Sequence, residues 1–118
     1  MDIYREEILE HWQNPQNFGV MDVPDVVVEQ VNPLCGDEVT FFFRIKKGKI
    51  DKVSFTGSGC AISMASASLL SEAIKGKKVS ELEKITGQDV LGLIGGNVAP
   101  ARLKCAFLPL EAIRKLTS

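Results

Sequence analysis

Residues 39–63 read VTFFFRIKKGKIDKVSFTGSGCAIS, and this stretch contains the strongest indications of the fold. Apolar side chains stand at every second position over 39–45, which predicts a strand with one buried face. A hairpin turn follows at 46–49, and residues 50–56 predict the next strand. The β-branched run at 26–31 predicts a strand that precedes both. Three consecutive strands with short connections predict an antiparallel meander.

Helical spacing of the apolar residues replaces the alternation after Cys60. Residues 61–74 predict a helix that Gly76 ends, and residues 88–94 predict a shorter helix that the following glycines end. Between them, Ser80-Glu81-Leu82-Glu83 has the pattern of a capping box and predicts the start of another short helix.

Two further helices are predicted at the ends of the chain. Tyr4, Ile8 and Trp12 recur at helical spacing and are expected to share one face of the first helix. The last helix is predicted over 103–113, where Pro109 is expected to kink it or to move its regular part downstream. Strands followed by helices predict an α+β fold, a three-stranded antiparallel meander sheet with helices packed on one face.

The bulk composition is that of an ordinary globular protein. A chain of 118 residues with 45% hydrophobic and 25% charged residues predicts a single domain over 1–118. A net charge of −1 gives no broad electrostatic footprint for nucleic acid or for an anionic membrane, so neither is an expected partner. The amino-terminal residues lack the pattern of a signal peptide, which predicts a cytoplasmic location. In a reducing cytoplasm, cysteines favour metal binding or redox chemistry over disulfides.

Three cysteines lie where the predicted elements end. Cys35 falls in the turn between the first two strands, Cys60 in the glycine-rich loop before the long helix, and Cys105 near the start of the last helix. Asp37 stands two residues after Cys35, a spacing that lets a thiolate and a carboxylate reach one metal ion. Lys104 precedes Cys105, and a neighbouring cation stabilises a thiolate.

Each of these residues also has a simpler interpretation when it is taken alone. The cysteines fit buried structural positions, Asp37 fits a turn or a cap, and Lys104 fits a solvated helix surface. His11, the only histidine, is expected on the surface of the first helix, which makes it a poor ligand candidate. The separate signals are weak, and the combination carries the prediction.

Taken together, the motifs resemble the U-type iron–sulfur cluster scaffold family, the group formed by IscU, SufU and the NifU amino-terminal domain. The resemblance covers nearly the whole chain. It is carried by four segments: residues 4–19 with their Asn-Pro turn, Asn32-Pro33-Leu34-Cys35-Gly36-Asp37, the stretch GSGCAISMASAS at 57–68, and Arg102-Leu103-Lys104-Cys105-Ala106.

The resemblance implies a site and a function. Cys35, Cys60 and Cys105 would hold a transient [2Fe-2S] cluster or Zn²⁺ with Asp37 beside them. The neighbours of Cys105, a cation at Lys104 and a predicted helix start, favour it as the residue that accepts sulfur, with Lys104 stabilising its thiolate. The function implied is a non-enzymatic scaffold, monomeric or weakly oligomeric. It would take sulfur from a cysteine desulfurase and pass the cluster to acceptor proteins. Three thiolates and one oxygen ligand hold iron less durably than four thiolates, which suits a temporary site.

Two departures from the family pattern keep a second function open. Lys104 stands where IscU-type members have a histidine, as in SufU-type members, and this favours a zinc-dependent sulfurtransferase. The segment between Cys60 and Cys105 is compact as in IscU-type members, and this favours the scaffold. The same S₃O ligand set also closes a zinc tetrahedron, so a small structural zinc module is a third alternative.

Overall fold

The computed structural model describes residues 6–33, 36–95 and 98–117. Three strands form one antiparallel sheet in the order β1-β2-β3, namely β1 (Val26–Asn32), β2 (Asp37–Lys46) and β3 (Lys49–Ser58). The predicted meander is therefore confirmed, and the observed strands extend a few residues beyond the predicted ones.

Helices precede and follow the sheet. They are α1 (Glu6–Gln13), α2 (Ala61–Ile74), α3 (Gly87–Ile94) and α4 (Leu103–Arg114), with 3-10 turns at Val79–Lys84 and Pro100–Arg102. Helices α2 and α4 pack against the sheet, which confirms the α+β fold with helices on one face. None of the helices in the described ranges is long and apolar enough to cross a membrane.

The buried face of β2 forms the centre of the core. Val39, Phe41 and Phe43 are fully buried, as the alternation predicts, and Phe41 contacts the ring of Phe55 on β3 at a centroid distance of 5.7 Å. Ile45 is only partly buried, because a register shift between Arg44 and Ile45 interrupts the alternation. Leu70 and Ile74 of α2 and Leu108 and Ala112 of α4 cover this face.

Helix α2 is buried on nearly every side, and its serines make this possible. Ser66 donates to the carbonyl of Ala106 at 2.7 Å, which ties α2 to α4. Ser71 donates to the carbonyl of Ser68 at 2.6 Å. Buried hydroxyls need such partners, because an unpaired polar group in a core costs stability. The serines therefore let a central helix pass through the core without losing hydrogen bonds.

The segment after α1 is attached to α2 by polar contacts. The hydroxyl of Ser68 accepts from the backbone N–H of Gln16 at 2.8 Å and lies 2.6 Å from Nδ1 of His11. His11 is 17% exposed, so the prediction of a surface histidine is wrong, and its role is to dock α1.

Ile8 is buried as predicted, but Trp12 is 45% exposed and does not share the buried face of α1 with Ile8. Tyr4 lies outside the described residues.

Two helix boundaries differ from their predictions. The capping box expected at Ser80 begins instead at Lys78, whose backbone N–H donates to the side chain of Glu81 at 3.1 Å. This capping box begins a 3-10 turn. Pro109 lies inside a continuous α4, so the regular helix is not moved downstream. Because proline has no N–H, the carbonyl of Cys105 loses its usual helical donor.

The sheet has two chemically different ends. Asp37, which pairs with Asn32, and Ser58, which pairs with Glu38, lie at one end together with the loop into α2. The lysine-rich hairpin lies at the other, and the ten residues of β2 separate the two ends by about 30 Å.

Replacing Ser68 by alanine tests how the amino-terminal segment is held. The change leaves the Gln16 N–H without its partner, and we expect a loss of about 1–3 kcal/mol in the free energy of unfolding in urea. Ser80→Ala is the matched control, because Ser80 is exposed and does not begin the box, so its loss is expected to stay below about 0.5 kcal/mol. Equal stability of the two variants would contradict this account of docking.

Candidate metal and sulfur site

The fold brings three of the predicted site residues together. Asp37 is the first residue of β2, Cys60 precedes the first residue of α2, and Cys105 lies in the first turn of α4. One carboxylate oxygen and the two Sγ atoms all lie within 4.8 Å of one another. Side chains separated by 45 residues in sequence, Cys60 and Cys105, therefore face one point.

Gly59 makes room for the carboxylate. A Cβ atom at this position would lie 2.9 Å from Cγ of Asp37 and 2.5 Å from Oγ of Ser63, and real Cβ atoms essentially never approach so closely. The glycine before Cys60 is thus required by packing, because the strand end, the loop and the helix start meet there.

The carboxylate of Asp37 is buried and incompletely paired. Its residue is 5% exposed, and within the described residues Oδ2 has no hydrogen-bond partner. A buried carboxylate without full pairing is costly, and a bound cation is one of the few partners that compensates it. This orphaned oxygen fits a metal or a metal-containing cargo at the site.

Ser63 holds the Cys60 loop in place. Its hydroxyl donates to the carbonyl of Cys60 at 3.0 Å, and its Oγ lies 3.8 Å from Sγ of Cys60. Ser63 is fully buried, whereas Cys60 is partly exposed. Cys60 therefore lies on the open side of the site.

Cys105 occupies the closed side. It is fully buried beside Ile8 and Ile62, which belong to a second hydrophobic cluster under the site. Burial raises the pKa of the Cys105 thiol to about 12, and hydrogen bonds and charge from Asp37 and Cys60 act in the same direction. Three acidic groups at one point favour the protonated thiol, because ionising it there would add to the negative charge.

Lys104 does not make the contacts expected of it. It is exposed, lines a cavity of about 290 Å³ with Pro33 and Glu111, and makes no ion pair within the described residues. Its charge is not among the causes that set the pKa of Cys105, and burial moves that pKa upward instead of downward. Within the described residues Lys104 also makes no ion pair with Asp37, because Lys104 is exposed and Asp37 is buried.

Two further residues complete the comparison with the sequence. Cys35 lies outside the described residues, so its part in the site stays a prediction; its neighbour Gly36 donates its N–H to the carbonyl of Asn32 at 2.8 Å. His11 belongs to the contact between α1 and α2 and is not in the group that could hold a metal.

The sequence interpretation missed the part that Ser63 plays. The spacing of Cys60 and Ser63, three residues apart across a helix start, is the usual signal for such a contact. The reason for Gly59 could not be read from the sequence, because the atom it makes room for belongs to a distant strand.

The structure thus defines a small α+β domain with two thiols and a buried carboxylate at one sheet end, a group that could hold a metal ion. The chain matches the NifU-like N terminal domain over residues 3–117, and it belongs to this family, the U-type scaffolds. The expected family is thereby confirmed.

A relative named as a sulfurtransferase and a relative named as a scaffold protein both match most of this chain. It is 35% identical to the zinc-dependent sulfurtransferase SufU of Bacillus subtilis, covering 96% of this chain and 88% of SufU. It is 34% identical to the iron–sulfur cluster assembly scaffold protein IscU 1 of Archaeoglobus fulgidus, covering 96% of this chain and 73% of IscU 1. The solved structure of FiSufU from Fervidobacterium islandicum AW-1 superimposes with a TM-score of 0.82 at 32% identity, covering 96% and 95% of the two chains.

Alanine at Gly59 tests the packing of the site. The new methyl group has to displace the Asp37 carboxylate or the Ser63 hydroxyl, so we expect zinc affinity to fall at least about tenfold in a competition titration with a chromophoric chelator. Gly92→Ala is the control, because a Cβ there meets nothing within 4 Å and alanine favours the helix. Unchanged zinc affinity in Gly59→Ala would show that the carboxylate is not held in a binding position.

Proposed function

We propose that this protein is a scaffold on which a [2Fe-2S] cluster is assembled and from which it is passed to acceptor proteins. The observation that carries the proposal is the convergence of Asp37, Cys60 and Cys105, together with a buried oxygen of Asp37 that has no hydrogen-bond partner among the described residues. The match to scaffolds of the same family supports the proposal, since IscU 1 is named for that role.

The ligand set suits temporary holding. Cys60 and Cys105 would supply thiolates, Cys35 a third, and Asp37 a carboxylate oxygen. Iron–sulfur clusters that stay in place are usually held by four thiolates, and a harder oxygen ligand gives a weaker grip on iron. Because Cys60 is partly exposed, the cargo would be held at an opening of the protein.

Sulfur would arrive as the persulfide of a cysteine desulfurase. A thiolate of the scaffold attacks the terminal sulfur, a new S–S bond forms on the scaffold, and the thiolate of the desulfurase leaves. Cys105 is the sulfur acceptor predicted from the sequence, with Lys104 stabilising its thiolate. Reactive cysteines are partly exposed, which favours Cys60 for the first encounter, because Cys105 is fully buried with a raised pKa.

A zinc-dependent sulfurtransferase is the second candidate function. It is supported by the similarity to SufU, and Zn²⁺ would be held by Cys35, Asp37, Cys60 and Cys105. The alignment lengths favour the scaffold. Both alignments include 96% of this chain. The alignment with SufU runs over 130 positions and the alignment with IscU 1 over 113, so SufU has residues that this chain lacks.

A purely structural role for a metal is the weakest candidate. The described residues already form two hydrophobic clusters, one against the sheet and one under the site. A zinc module that needs its metal to fold has little core of its own. Removal of metal by a chelator is therefore expected to lower the melting temperature without unfolding the protein at room temperature.

The proposed scaffold is tested by anaerobic reconstitution with iron, cysteine and a cysteine desulfurase. We expect a [2Fe-2S] absorption spectrum that moves to an apo-ferredoxin, and Asp37→Ala should lengthen the lifetime of the cluster on the scaffold several-fold, because the weaker oxygen ligand is the one that serves release. Ser80→Ala is the surface control. Tightly held zinc with no cluster, together with faster desulfurase turnover, would favour the sulfurtransferase.

A sulfur-loading experiment distinguishes which of the two thiols, Cys60 or Cys105, first accepts sulfur. After a single turnover of the desulfurase, mass spectrometry should find the added sulfur on wild-type protein, and Cys60→Ser should abolish the first transfer if the exposed thiol meets the donor. Retention of loading in Cys60→Ser with its loss in Cys105→Ser would instead assign the first step to Cys105, as the sequence predicts.

A further inference from the structure

The end of the sheet opposite the cysteines carries a concentrated positive charge. Seven of the chain's 14 lysines and arginines fall in two short stretches, 46–52 and 75–78. The two stretches are adjacent in space, because Ile50 donates its N–H to the carbonyl of Lys77 and Val79 donates to that of Gly48, both at 2.8 Å. We call this surface the lysine patch; it consists of Lys46, Lys47, Lys49, Lys52, Lys75, Lys77 and Lys78, all exposed.

The lysine patch is not neutralised by the protein itself. Within the described residues, the ion pair between His11 and Glu72 involves none of its lysines, and no carboxylate pairs with them. The nearby carboxylates of Asp25 and Glu81 accept from the backbone N–H groups of Ile45 and Lys78. Asp51 is the acidic residue that shares the shallow cavity of about 320 Å³ formed by part of the patch. The positive field is therefore open to solvent.

The arrangement is unfavourable for folding, and this points to a use. Arg44 lies opposite Lys52, Lys46 opposite Lys49, and Lys49 opposite Lys78. Like charges directly opposite each other on neighbouring strands are destabilising. Residues that break local rules in an otherwise consistent fold are expected at functional surfaces.

The turn of the hairpin breaks a second rule. Lys47 has φ of 53° and Gly48 has φ of 76°, as a two-residue turn of the I′ type requires. Asparagine, aspartate or glycine is favoured at the first of these positions, because other side chains are strained at positive φ. A lysine is found there, at the tip of the patch, where asparagine, aspartate or glycine would fit the backbone better.

We propose that the lysine patch is an electrostatic docking surface for an acidic segment of a protein partner. The identity of that partner as a sulfur donor or cluster acceptor rests on the proposed function; the binding chemistry does not. Lysines act as hydrated point charges, which suits a fast encounter more than a fixed bidentate contact. The hairpin part of the patch lies about 30 Å from the cysteine end along β2, and Lys75 lies about 22 Å from Cys60 along α2, so a partner bound here leaves the cysteine end accessible.

An acidic protein segment fits this surface better than nucleic acid does. Phe18 lies beside Lys52 and Lys75, but its ring is already engaged by Phe55 in an edge-to-face contact at a centroid distance of 5.4 Å. The guanidinium of Arg44 is likewise already used by the carbonyls of Asp22 and Val23. The chain as a whole has a net charge of −1, so the surface beyond the patch repels a long phosphate backbone.

The first test uses a short fluorescein-labelled oligoglutamate peptide and fluorescence anisotropy at low salt. Replacing Lys46, Lys47 and Lys49 together by glutamine should weaken binding about tenfold, whereas Lys84→Gln, outside the patch, should change it less than about twofold. Equal binding by the triple variant would overturn the proposal. So would tighter binding of a DNA duplex, or of phosphatidylglycerol vesicles, at matched charge.

Lys47→Asn is a second variant whose folding is not in question. It should raise the melting temperature by roughly 2–5 °C, because asparagine suits the turn, and it should weaken oligoglutamate binding. A higher melting temperature with unchanged binding would overturn the proposal.

Measurements of cluster assembly and cluster transfer test the docking surface independently of the scaffold proposal. The triple variant should assemble as much cluster and bind as much zinc as the wild type, but its transfer or sulfur-loading rate should lose its dependence on salt. Failure of wild-type protein to assemble any cluster would contradict the scaffold and leave oligoglutamate binding as the test of the patch.

Discussion

The buried carboxylate of Asp37 is the constraint on which the site depends. It lies against the backbone of Gly59 and beside the thiols of Cys60 and Cys105, in a space that one methyl group would fill. One of its oxygens has no partner among the described residues. An unpaired buried carboxylate oxygen is costly in a core, and a bound cation would compensate that cost, so this packing fits a site for a metal ion.

Helix α2 connects this site to the rest of the molecule. It begins directly after Cys60 and is buried along most of its length. Ser66 ties it to the turn of α4 that follows Cys105, and Ser68 ties it to the amino-terminal segment. The closed side of the site therefore rests on the hydrophobic cluster that α1, α2 and α4 share, and the partly exposed Cys60 lies on the open side. A rigid support with one open side suits a cargo that must enter and leave.

Charge is distributed along the sheet in a way that the net value of −1 hides. The thiols and the carboxylate occupy one end, and the lysine patch occupies the other. A protein that exchanges sulfur or a cluster has to meet its partners by diffusion, and separated charges can orient such encounters at long range. The cross-strand lysine pairs reduce stability, and the large buried face of β2 offsets that cost.

Local patterns of residues were enough to predict the sheet, the long helix and the identity of the candidate ligands. Alternation over 39–45 fixes which side chains of β2 are buried, and the change to helical spacing after Cys60 fixes the start of α2, because both periods follow from backbone geometry alone. For Trp12 and His11 the local pattern predicts the wrong environment, because the buried side of α1 is set by its contacts with α2, including that of His11 with Ser68.

The way the site is built, in contrast, depends on contacts between segments that are distant in sequence. The tertiary structure shows that Gly59 makes room for Asp37, that Cys105 is buried with a raised pKa, and that Lys104 faces solvent instead of the thiol. It also aligns Lys49 with Lys78, which are far apart in sequence. These features depend on contacts between distant segments, and the distance between two such side chains is set by the packing of the whole fold, which no local pattern of residues encodes.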